Sequence, residues 1–263
     1  MAKNVSKKAL EKFWSDAVDA IRADDARELR GIILAAPGLK DFRGETVGEW
    51  LSGMLGDRGL LHMAALKDSP ACLDYLVKDG WDIHETWAVD ATSGGGCNEI
   101  VTPLSLAVLC GNEKTRARMF ESLISVASQS VEDGPESWRL AMEAAASMGD
   151  EEIMLRIRLH LGEDAHGLWA TEGQEKRNLL HAAAEGGSMA VLDMIWEWDG
   201  IPEIARELDG EGLSPKSLAE SFDHFDFAME LAQRVRARDE KRLLSDAAAA
   251  PAHGRKSLGA GRL

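Results

Sequence analysis

Histidine and cysteine are the side chains in this 263-residue sequence best suited to metal binding or nucleophilic chemistry, and there are seven of one and three of the other. His62 and His181 each follow a Leu-Leu pair, and a metal or catalytic role would require the two to converge. His160 and His166 flank Glu163 and Asp164. Their spacing across a glycine is not the i, i+4 pair of a helical ligand set, and no third ligand stands nearby. Gly254-Arg255-Lys256-Ser257 has the ending of a phosphate-binding loop without its earlier glycine, strand or following helix. Gly94-Gly95-Gly96 lacks the following polar helix start that cradles a phosphate. His84, Asp90 and Cys97 form the one local set that a catalyst in the segment 85–101 would use, and no local histidine activates Cys97. No Gly-x-Ser-x-Gly elbow occurs. The expectation is no enzyme, no catalytic residue, no metal and no cofactor.

Composition bounds the class of molecule. With 45% hydrophobic and 29% charged residues, the chain can bury a core and is neither disordered nor fibrous. No apolar run approaches the roughly 20 residues that span a bilayer, so no membrane partner is expected. The N-terminal residues, broken by Glu11, Lys12 and Asp16, predict no signal peptide. Cys72, Cys97 and Cys110 cannot build a disulfide framework, which points to a reducing cytoplasm. The net charge is −15, but residues 233–263 hold eight basic and three acidic side chains, +5 against −20 for the rest. An acidic body of this kind repels phosphate backbones, so no nucleic-acid partner is expected.

The elements that must position these residues repeat along the chain. Leu60-Leu61-His62-Met63-Ala64-Ala65 is echoed by Leu179-Leu180-His181-Ala182-Ala183-Ala184. Thr102-Pro103-Leu104-Ser105-Leu106-Ala107 is echoed by Ser214-Pro215-Lys216-Ser217-Leu218-Ala219. The separations leave room for one more unit near 138–162, and Leu140–Asp150 has the matching helix, glycine and polar residue. Thr102 and Ser214 are N-cap residues and Pro103 and Pro215 first-turn residues, so each copy opens a helix.

This pattern resembles the ankyrin repeat, whose unit of about 33 residues carries a T-P-L-H-x-A opening. The copies are divergent: where Thr-Pro or Ser-Pro stands, the histidine slot holds Ser105 or Ser217. The resemblance implies an all-α ankyrin-repeat solenoid of about five to six helix–turn–helix units with helical caps. In it, His62 and His181 would be buried histidines bonding backbone between units. Residues 1–56 are expected to hold capping helices and a linker, with Phe13, Trp14, Ala17, Val18 and Ile21 on one face. Residues 57–232 would form the array, with a long inserted finger at 85–101. Residues 233–263 would complete a last helix and continue as a flexible basic tail from about residue 247. That last helix, read from Phe222 to Leu244, would bury Phe225, Phe227 and Leu231. Such arrays need polar-faced terminal units for solubility.

Eight tryptophans against one tyrosine make the placement of tryptophan the question on which a binding face turns. Trp14, Trp138 and Trp196 fall on apolar helical stripes and are expected in the core. Trp81, Trp87 and Trp169 stand beside carboxylates, the composition of a protein-binding patch. The resemblance implies a concave finger and helix face that binds a protein with a basic or amphipathic surface. Its expected residues are Trp81, Asp82, Trp87, Asp90, Leu109, Asn112, Trp169 and Glu185. The chain would then be a non-catalytic cytoplasmic adaptor. Alternatively, the basic tail looks like the export signals of some bacterial secreted effectors, which would place the binding inside another cell.

Overall fold

A computed structural model of the chain describes residues 7–35, 59–89, 99–127, 134–162, 168 and 176–249. Thirteen helices and one hairpin stand among them. The chain opens with α1 (Lys7–Arg22) and α2 (Ala26–Ala35), then α3 (Leu60–Leu66) and α4 (Pro70–Lys78). Strands β1 (Trp87–Val89) and β2 (Glu99–Val101) pair antiparallel, with Trp87 opposite Val101. They lead into α5 (Pro103–Cys110), α6 (Glu113–Ile124), α7 (Pro135–Met148) and α8 (Glu151–Leu161). The rest is α9 (Leu179–Gly186), α10 (Met189–Trp196), the single turn α11 (Ile201–Ile204), α12 (Pro215–Ser221) and α13 (Phe225–Ala249).

The helices pair and stack in two rows. One row runs α1, α3, α5, α7, α9, α12, each packed on the next; the other runs α2, α4, α6, α8, α10, α13. This is the solenoid that the repeated openings imply, six helix pairs long. Its core is continuous, because each pair buries apolar side chains against both neighbours: Leu61, Leu104, Met142 and Leu180 in the first row, Leu73, Phe120, Ile157 and Leu192 in the second.

Local chemistry explains why the helices begin where they do. Thr102 and Ser105 form a reciprocal capping box, as do Asn178 and His181, and Ser214 accepts from the Ser217 amide. The slot that holds His181 or a serine is the third helical position, which is why either residue type serves there. In the third-last pair α7 starts about two turns earlier, so the residue at the same distance from the closing glycine, Glu143, lies inside the helix and is salt-bridged to Arg139. The outer helices borrow caps from their neighbours: Asp24 Oδ1 accepts from the amides of Ala71 and Cys72 at the start of α4. At the start of α6 Asn112 Oδ1 accepts the Thr115 amide, and Asp68 holds that cap in place by accepting from the Asn112 side-chain amide and the Thr115 hydroxyl. Asp24 and Asp68 hold left-handed φ values of 50° and 56°, and Asp223 repeats that geometry at 61° in the last pair.

The two ends of the stack differ. At the N-terminus Trp14, Ala17 and Ile21 are buried, as expected of a cap. At the C-terminus Phe227 and Leu231 are buried, but Phe225 is 61% exposed, so it belongs to the opposite face of α13 and not to the core as expected. In a helix Phe227 and Leu231 lie about 40° apart and both face inward, whereas Phe225 lies about 200° from Phe227 and faces outward. α13 also runs through residue 232, where the array was expected to end, to Ala249 within the residues read as tail. The remaining tail residues lie outside the described residues.

Candidate functional site

The sequence placed eight residues on one binding face, and the six of them among the described residues fall in two regions. The first is the foot of the hairpin. Trp81 is half-buried and packs against the core, while Asp82 is exposed and its Oδ1 accepts from the His84 amide at 2.8 Å. Trp87 is only 5% exposed. It lies edge-on to the His62 ring at 6.2 Å, so the expectation that it belongs to an exposed patch is corrected. A hairpin has two sides, and the side carrying Trp87 closes over the N-terminal half of α3. Asp90 and Trp169 lie outside the described residues.

His62 is the most constrained group at this foot. Its helix lacks a capping side chain because Gly59 occupies the cap, and the Glu85 carboxylate lies 3.8 Å from Nδ1. Neither ring nitrogen has a hydrogen bond of good geometry. Burial pushes its pKa down to about 4, against the opposing pull of the Glu85 and Val101 backbone and the Asp82 charge. His62 is therefore neutral at pH 7. His181, by contrast, is satisfied as the resemblance implied. Its Nε2–H donates to the Leu213 carbonyl at 3.1 Å, which leaves Nδ1 to accept the Asn178 amide at 3.2 Å. Burial lowers its pKa as well. The two histidines serve separate helices and share no site.

The second region is the edge where the first helix of each pair turns into the second. Leu109, Asn112 and Glu185 all lie on it. Asn112 is exposed and ties its unit to the one before through Asp68. Glu185 pairs with Arg177 at 3.2 Å, and its carbonyl accepts His224 Nε2–H at 3.0 Å. Successive turns touch along the whole edge. Arg116 bridges from the Gly111 carbonyl to Asp150, and a Cβ on Gly149 would lie 3.3 Å from Ser188. Gly187, at φ 66°, lets the His224 ring approach so closely that a Cβ would sit 2.4 Å from it.

Apolar side chains accumulate on this edge, and of them the sequence reading singled out only Leu109. Leu109 is 40% exposed, Met148 45% and Met189 37%, each from a successive unit. Phe222 continues the row at the next turn, stacked on His224 at 6.4 Å. Glu151, Glu152, Asp223 and Asp226 are exposed around it. The signal was available: in each unit the edge falls just before or after the glycine or polar residue that ends the first helix. The slot after the histidine position, by comparison, is buried in every unit: Met63, Leu106, Ala144, Ala182 and Leu218. The inner helices therefore offer little at that slot for a partner to touch.

Catalytic and metal readings find no cluster here. Among the described residues no group of three His, Cys, Asp or Glu side chains is placed to hold a metal ion. His160 packs on Trp138 at 5.3 Å and His84 at 6.0 Å, so both rings line an aromatic contact. Burial raises the Cys72 thiol to about 12 and raises that of Cys110, the opposite of what a nucleophile needs. No described helix is long and apolar enough to cross a membrane.

No family model and no curated protein matches the sequence. The fold is similar to that of EF0377, an ankyrin repeat protein whose crystal structure overlays with a TM-score of 0.53 at 16% sequence identity. The match covers 83% of this chain and 96% of that one. The stack described above is an ankyrin-repeat solenoid.

Proposed function

We propose that this chain is a non-catalytic protein-interaction module that binds a partner along the turn edge of its solenoid. The observation that carries the reading is the row Leu109, Met148, Met189 and Phe222, one exposed apolar side chain per unit, set among exposed carboxylates. Apolar anchors ringed by polar groups are what a protein partner desolvates, and the surrounding charge selects one with a basic rim. Three of the residues expected from the sequence, Leu109, Asn112 and Glu185, stand on this edge. The hairpin foot, with Asp82 and the half-buried Trp81, is then a flanking contact. Cys72, buried, and Cys110, half-buried, neither of them disulfide-bonded, suit a reducing compartment such as the cytoplasm.

The test is affinity capture from the native source with three baits: the wild type, Leu109→Asp/Met148→Asp/Met189→Asp, and Asp82→Lys. All three should share one melting temperature, since every substituted side chain is exposed. A stoichiometric protein held by wild type and by Asp82→Lys, but lost by the edge variant, supports the reading. Loss by Asp82→Lys alone would move the site to the hairpin foot. Equal capture by all three would overturn both.

A further inference from the structure

The C-terminal end of the stack is built as though something else were to be packed on it, and we propose that a second copy of this chain does so through α13, paired antiparallel with its counterpart. The first half of α13 is held by the array through Phe227, Ala228 and Leu231. Ion pairs extend the hold: Arg234 with Asp193, Arg238 with Glu203, and Asp239 with Arg206. From Glu240 to Asp246 every side chain is exposed. That stretch nonetheless carries Leu243 at 65% and Leu244 at 72% exposure. A short helical segment with no packed face is marginal in water, and its stability comes from burying an apolar face.

Three further observations say what the face is for. About 100° of rotation per residue puts Phe225, Met229, Arg236 and Leu243 within roughly 40° of one another on the side away from the core. Phe225 and Met229 are 61% and 57% exposed. The N-terminal helix α1, in contrast, shows Lys8, Glu11, Lys12, Asp19 and Arg22 to solvent, the polar outer face that a solenoid end requires. Asp223 completes the contrast: it repeats the left-handed turn of Asp24 and Asp68, whose carboxylates each serve the next unit, yet it is exposed at the last one.

The helix is complementary to itself when reversed. Its first half carries Asp226 and Glu230 beside Phe225 and Met229; its second half carries Lys241 and Arg242 beside Leu243 and Leu244. An antiparallel pair about a two-fold axis near residue 234 sets Phe225 opposite Leu243 and Asp226 opposite Arg242 and Lys241, although each half of the helix taken whole is charge-balanced. A parallel pair would set like charge against like. Self-complementary patches of this kind generate closed two-fold dimers. The proposal goes beyond the partner-binding reading and uses a different face of the molecule.

Sedimentation equilibrium on the full chain tests it, without any partner present. Wild type should show twice its 28.6 kDa mass at micromolar concentration. Leu243→Glu/Leu244→Glu and, separately, Met229→Glu should be monomeric with unchanged circular dichroism. Asp226→Lys should weaken the dimer roughly tenfold, and adding Lys241→Glu should restore it. A monomeric wild type at 100 µM, or a dimer indifferent to both apolar variants, overturns the proposal. Because the partner is absent from the cell, these outcomes are independent of whether the turn edge binds anything.

Discussion

His62 shows how a residue chosen for its chemistry ends up governing stability. It is held neutral in the fold, with a pKa of about 4, because burial costs the imidazolium more than the nearby Glu85 and Asp82 return. The unfolded chain takes up that proton near the ordinary value of 6.5, and the folded chain does not until about 4. Stability is therefore complete above pH 6.5 and is lost as the pH falls from 6.5 towards 4, by about 3 kcal/mol for this one group. Urea unfolding of wild type and His62→Leu across pH 7.5 to 4.5 should show the stability difference shifting by that amount in favour of the variant. His181 acts with the same sign, so the variant keeps part of the slope. The carboxylate of Asp74, held low chiefly by its Ser122 hydrogen bond, adds its own loss only below the histidine window. Trp87 makes the companion case: as a core residue its replacement by alanine should cost about 3–5 kcal/mol, whereas Asp82→Ala should change the melting midpoint hardly at all.

At the scale of the element, α5, α8, α9, α10 and α12 start where a side chain satisfies a free amide of the first turn. Thr102 and Ser105 do so reciprocally and are fully buried. Thr102→Ala should cost about 1 kcal/mol, and somewhat more for stranding the buried Ser105 hydroxyl, measured as a drop in urea midpoint at constant slope. Gly187→Ala should be worse than a cap deletion, since it combines a left-handed φ of 66° with a clash against His224. These signals are why so much of the fold was legible in the sequence. Thr-Pro, Ser-Pro and the Leu-His pairs mark helix starts by chemistry that is local, and their recurrence supplies the stacking order. The candidate site was legible only in part. Which side of a hairpin faces in depends on register, not on composition, so Trp87 read as a finger residue when it is a lid over His62. Phe225 was misplaced because it stands two residues before Phe227, about 200° away around the helix, so the two cannot share one buried face. The turn-edge row was seen only at Leu109, because Met148 and Met189 line up with it only once the units are stacked.

At the scale of the whole molecule, stability in a solenoid is a sum over units and the contacts between neighbours, so it falls off towards an end that has no neighbour. The middle pairs, α5 to α10, are covered on both sides and should hold the slowest-exchanging amides. The N-terminal pair is tied in by Asp24 at the start of α4 and by Ser69 Oγ–H donating to the Ile21 carbonyl at 2.5 Å. Among the described residues nothing ties the C-terminal end in this way, and from Glu240 to Asp246 every side chain of α13 is exposed. Local opening there should cost almost nothing in a single chain, which makes exchange at 240–249 close to that of an unstructured peptide. Pairing with a second copy changes that by mass action, since only the helical form can pair. Amide exchange followed by mass spectrometry at 1 µM and 100 µM should therefore show protection of 240–249 rising with concentration, while α5 to α10 exchange identically at both. In Leu243→Glu/Leu244→Glu the segment should stay unprotected at either concentration, because what orders the end of this helix is the neighbour it lacks in the monomer.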